Sequence, residues 1–105
     1  MPQFDVYANP NPVTRLRVPY LLDIQSSLLE SLSTRVVIPL CKPSLLKGKL
    51  AKGLNPVLVV EGREMVMLTP ELAGISRKAL GARVANLAAC RAEIVGALDL
   101  VISGI

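Results

Sequence analysis

Residues 3–7 alternate in character, with Phe4 and Val6 on one side and Gln3, Asp5 and Tyr7 on the other. A period of two marks a strand, because successive side chains leave a strand on opposite faces. "ANPNP", residues 8–12, then breaks the run. Its asparagines tolerate left-handed backbone and its prolines fix φ. Alternation resumes with Leu16 and Val18 against Arg15 and Arg17, where Pro19 allows only an edge strand or a kink. Residues 20–26 continue extended. Residues 27–33 read two ways, as a helical turn or as a polar turn with Leu28, Leu29 and Leu32 partly exposed. "TRVVIPL", residues 34–40, is β-branched enough for a central strand, stopped by Pro39.

Residues 57–60 and 65–68 are apolar runs around Glu61-Gly62-Arg63-Glu64, which predicts a hairpin turning at Gly62. Thr69-Pro70-Glu71 reads as a helix start, with Thr69 as cap, Pro70 first in the helix and Glu71 at the positive dipole end. Gly74 would end that short turn. From Gly81 the period changes. Leu87, Ile94, Leu98, Val101, Ile102 and Ile105 recur at intervals of three, four and seven in an alanine-rich, proline-free stretch. That stripe predicts a helix from about Val84 or Ala88 to about Ile102. Gly96 is its weak point, and Gly104 stands where a helix C-terminal glycine belongs. The expected fold class is therefore mainly β with a C-terminal α-helix: a small antiparallel sheet in one domain over residues 1–105.

Composition sharpens this picture. Apolar residues make up 51% of the chain but aromatics only 3%, so the core must be aliphatic. A net charge of +4 permits acidic or nucleic-acid partners without demanding them. Lys42, Lys47, Lys49 and Lys52 cluster between Cys41 and Pro56, with no aromatic platform for base stacking. They read as a solvated loop before a phosphate-facing one. The two cysteines, Cys41 and Cys90, lack histidine partners anywhere in the chain, which argues against zinc and cysteine-protease chemistry and for two reduced thiols. The N-terminus lacks the basic start and apolar run of a signal peptide, and no apolar stretch is long enough to span a membrane. These features point to the cytoplasm.

Catalytic constellations are thin. There is no histidine, no glycine-rich phosphate loop and no clustered carboxylates, so neither cofactor nor metal is expected. Cleavage of RNA by a positioned arginine with a threonine or serine hydroxyl stays open.

Taken in order, "QFDVYAN", "LLDIQSSLL" at 21–29, "TRVVIPL" at 34–40, "NPVLVV" at 55–60, "MLTPELAGIS" at 67–76 and the terminal "SGI" resemble the CcdB toxin family of bacterial toxin–antitoxin modules. The resemblance runs from Gln3 to Ile105. It implies an SH3-like barrel fold shared with MazF-type toxins, and a homodimer. It also implies a poison, not an enzyme, that binds the A subunit of DNA gyrase and traps the cleaved complex. A cognate antitoxin with a disordered C-terminal segment would extract it, and DNA would be met only through gyrase or the antitoxin. Carried over position by position, the gyrase-binding residues are Ser103, Gly104 and Ile105 at the end, Asp99 and Ile102 just before, and Leu28 and Leu29 after the "QS". Ser103 departs from the pattern, which has a tryptophan there that stacks on an arginine of gyrase. Ile94, Leu98 and Val101 read as core or dimer packing. The alternatives are an endoribonuclease toxin of the MazF-type fold and a non-toxic member that only binds a regulator.

Overall fold

The computed structural model describes residues 2–104 except 47 and 49. Among them, seven strands precede one helix: β1 (Asp5–Ala8), β2 (Tyr20–Asp23), β3 (Thr34–Cys41), β4 (Val57–Val60), β5 (Arg63–Met67), β6 (Ala73–Ser76), β7 (Arg83–Asn86) and α1 (Arg91–Ser103). The strands form one antiparallel sheet in the order β4-β5-β3-β2-β1-β7. β3 is its spine. One edge of β3 pairs with β2, while the other is shared: Thr34 to Val37 pair with β6, and Leu40 and Cys41 pair with β5. β6 and β7 are consecutive yet lie on β3 and β1, so the segment between them crosses over and curls the sheet into a half-barrel. Gly81 sits in that crossing. Its N–H donates to the Ala8 carbonyl at 2.9 Å, and a Cβ there would meet the same oxygen at 2.7 Å.

The main core lies between the sheet and α1. It joins Val6, Leu22, Ile38, Leu40, Leu58, Val60, Met65 and Met67 to Ile94 and Ala97 of the helix. The aliphatic character follows from the composition. A smaller cluster of Val18, Cys41, Val66 and Leu68 packs on the opposite face. Both cysteines are free; burial pushes the Cys41 thiol up, against the pull of Arg17.

Several expectations hold. The hairpin is present, with a two-residue turn in which both Glu61 (φ 51°) and Gly62 (φ 77°) are left-handed. That geometry matches the twist of the flanking strands. Gly104 (φ 73°) caps α1, its N–H reaching the Leu100 carbonyl at 3.0 Å.

Other expectations are corrected. Residues 15–18 are not a strand. Arg15 and Val18 close turns onto Asn11 and Thr14, and only Val18 goes inside while Leu16 stays exposed. Pro39 does not stop β3. Its carbonyl accepts from Leu68 N–H, so the edge where its own N–H is missing faces the junction at which β3 changes partner, and the ladder to β2 is intact. Thr69 does not cap. It is the first residue of a 3-10 turn (Thr69–Glu71), buried, and its hydroxyl donates to the Leu54 carbonyl. Gly74 ends nothing; it pairs with Val36 inside β6. The helix starts later than its apolar stripe. Residues 83–86 pair with β1 because Asp5 recruits both Arg83 (2.9 Å) and Asn86 (2.9 Å), and a 3-10 turn (Ala88–Cys90) intervenes before Arg91.

The face of the sheet away from α1 buries polar side chains. On β1 the expected polar side holds Asp5 and Tyr7, and both are buried. The Tyr7 hydroxyl donates to Asp5 Oδ2 at 3.3 Å. Its pKa is raised above 10.0, first by burial and then by the Asp5 and Asp23 carboxylates. A raised folded-state pKa means that the stabilising term is complete below the unfolded value and is lost as pH climbs through the folded one. Stability should therefore fall above about pH 10. Tyr7→Phe should make that fall shallower than in the wild type, as read from urea midpoints across the alkaline range.

Candidate functional site

The last turn of α1 overhangs the core. Ile94 and Ala97 are fully buried, Leu98 packs against the core and Val101 is half-buried, as the stripe suggested, but Ile102 is 80% exposed. A helix end this open would ordinarily fray. Here it is closed twice. Gly104 provides the left-handed cap, and the Ser103 hydroxyl donates back to the Asp99 carbonyl at 2.7 Å. Asp99 is three residues before Ile102, so the two share a helix face. The Asp99 carboxylate is exposed and has no ion pair among the described residues. What projects at the tip is thus an aliphatic side chain beside a free carboxylate on a fixed backbone. Ile105 lies outside the described residues, as do Lys47 and Lys49. Beside the tip, a cleft of about 520 Å³ runs along α1 between Gly53, Pro56, Ala92, Glu93, Gly96 and Leu100.

Leu28 and Leu29 occupy a second place. Residues 27–33 combine the two readings: a helical turn of 3-10 type (Ser27–Leu29) opens the link from β2 to β3, and its leucines are exposed, Leu28 by 93%. Ser26 caps the turn by accepting from Leu28 N–H at 3.2 Å. Gln3 ties it to the beginning of α1. The Gln3 N–H donates to Ser27 Oγ, its Nε2 donates to the Ile24 carbonyl, and its Oε1 accepts from Arg91. Among the described residues, no hydrogen bond or ion pair joins residues 27–29 to residues 99–104. Asp99, Ile102, Ser103 and Gly104 thus share the end of α1, while Leu28 and Leu29 are exposed on another element, the link from β2 to β3.

Sequence reasoning missed what lies beneath that pair. Arg35 and Asp23 are both wholly buried, with Nε and Nη2 donating to Asp23 Oδ2 at 3.0 and 2.7 Å. Asp23 Oδ1 accepts from Gln25 N–H, and the Gln25 side chain in turn reaches β3 and the leucine turn. The available signal was register. Arg35 shares a strand face with Val37, which is an inward position.

The curled sheet thus leaves Leu28, on the link from β2 to β3, and Ile102, at the end of α1, standing in solvent. The family model described as CcdB protein matches residues 3–104, and the chain belongs to that family, the toxins of toxin–antitoxin modules. Among the described residues no helix is long and apolar enough to cross a membrane.

Proposed function

We propose that this toxin binds the A subunit of DNA gyrase in the cytoplasm and holds the enzyme on cleaved DNA, acting as a stoichiometric poison. The observation that carries this reading is Ile102, the one large apolar side chain of α1 left 80% exposed, on a helix end whose backbone is closed around it. A knob of this kind gains about 1.5–3 kcal/mol when a partner buries it, and no ordering cost is left for the helix end. Asp99, Ser103, Gly104 and Ile105 would frame it, and Leu28 and Leu29 would supply the second contact.

As a homodimer, the protein would present each contact twice. The cleaved gyrase A dimer also has a two-fold axis, so both copies could engage, the second at high effective concentration. A cognate antitoxin with a disordered C-terminal segment would compete for the same exposed surface. DNA would be met through gyrase or the antitoxin.

The test is direct. Purified protein is incubated with gyrase, ATP and supercoiled plasmid, and in parallel with labelled RNA. Linear DNA after detergent and protease is the expected result; intact DNA beside fragmented RNA would overturn the reading. Ser103 offers a graded check. An aromatic side chain at this position can stack on a cation for about 0.5–2 kcal/mol, a two- to thirtyfold change in affinity. Ser103→Trp should accordingly lower the protein concentration needed for half-maximal plasmid linearisation by about that factor.

A further inference from the structure

We infer that Gln25 is a positioning residue for the contact made by Leu28 and Leu29, held in place from below by the Asp23–Arg35 pair. The inference rests on the gyrase reading above for its partner, and on hydrogen bonds within the chain for everything else. Leu28 is 93% exposed and Leu29 49% exposed. A slack loop would let such side chains fold back onto apolar neighbours. This one cannot.

Gln25 is 6% exposed, and its backbone N–H and both ends of its side-chain amide are hydrogen-bonded. Its N–H donates to Asp23 Oδ1 at 3.0 Å, its Oε1 accepts from Val36 N–H at 3.0 Å, and its Nε2 donates to the Leu29 carbonyl at 2.9 Å. The side chain thereby pins the leucine turn to the start of β3, while the backbone N–H of the same residue is held by Asp23 at the end of β2. The job needs an amide, which accepts at one atom and donates at another. A glutamate of the same shape keeps the oxygen for Val36 but sets a second oxygen against the Leu29 carbonyl. Asp23 cannot shift to follow, because Arg35 grips its other oxygen through two nitrogens. Three buried polar residues thus form a relay, Arg35 to Asp23 to Gln25, that ends on a turn whose own side chains are in water, an arrangement suited to presenting that turn.

Gln25→Glu and Gln25→Met separate positioning from general stability. Thermal unfolding identifies folded variants, and amide exchange is compared with the wild type. The expected result is faster exchange at residues 26–29, with β1 to β3 still protected, and at least tenfold weaker binding to a gyrase A fragment. In a Leu28→Ala/Leu29→Ala background, the same Gln25 substitutions should cost no further binding. The inference is overturned if exchange in the turn is unchanged, if Gln25→Glu binds like the wild type, or if its penalty persists without the leucines. A wild-type protein that ignores gyrase would sink the proposed function instead, and the exchange experiment would still decide whether Gln25 fixes the turn.

Discussion

Arg35→Met should cost the protein a large share of its stability, about 3–5 kcal/mol out of the 5–15 typical of a small domain. The loss comes less from the missing attraction than from what remains. Asp23 is wholly buried, and its Oδ2 takes both of its side-chain partners from Arg35. Methionine fills the space but leaves that buried oxygen without its two donors, which is costly for a carboxylate. Removing both charges should behave differently. The pair is imperfect, because Arg35 Nη1 is buried without a hydrogen-bond partner. An ion pair that leaves a donor unmet recovers little of its desolvation cost, and hydrophobic replacement of such pairs is often neutral or favourable. Arg35→Met combined with Asp23→Leu should therefore regain a large part of the loss, despite freeing the Gln25 N–H that Asp23 Oδ1 accepts. Urea unfolding of the two variants beside the wild type checks this. A double variant as unstable as the single one would show that the pair itself, not the orphaned charge, sustains the fold.

That pair also marks where sequence reasoning stops. The hairpin was legible because its turn chemistry is local: two apolar runs and a glycine are enough. The cap at Gly104 was legible for the same reason, since only a left-handed residue closes the helix that way. Family resemblance supplied the half-barrel, which local pattern could not. β6 has no period of its own, and it is a strand only because β3 offers it an edge. Residues 84–86 could begin the helix for lack of any local signal against it, but Asp5, some eighty positions away, draws Arg83 and Asn86 into the sheet. Pro39 and Thr69 were misread alike. Each followed its local preference in the sequence and a distant partner in the fold, the Leu68 N–H in one case and the Leu54 carbonyl in the other. In the candidate site, Ile102 and Leu28 were found by resemblance, and the structure added that both stand in solvent on fixed backbone. Gln25, Asp23 and Arg35 were missed because their role exists only in three dimensions.

Ile102→Asp should nearly abolish gyrase poisoning while leaving the fold alone. The side chain is 80% exposed in the free protein, so exchanging it removes almost no folding contact, and surface changes of this kind usually stay within about 0.5 kcal/mol. Asp99 and Ser103 are near neighbours, and the Ser103 to Asp99 back-bond uses only backbone and hydroxyl atoms, so the cap should persist. Binding is another matter. Losing the buried isoleucine forfeits about 1.5–3 kcal/mol per helix tip. A carboxylate in the same crevice, beside that of Asp99, adds a desolvation cost of its own. If a two-fold partner takes both tips, the penalty applies at each. The combined loss is then at least a hundredfold and on the order of ten-thousandfold when both tips engage. Ile102→Leu keeps the area and changes only the shape, and should lose less than about tenfold. Plasmid linearisation titrated against wild type, Ile102→Leu and Ile102→Asp should rank them in that order, with matching thermal midpoints. If Ile102→Asp poisons gyrase as well as the wild type, the tip of α1 is not the contact, and the exposed leucine turn becomes the surface to examine next.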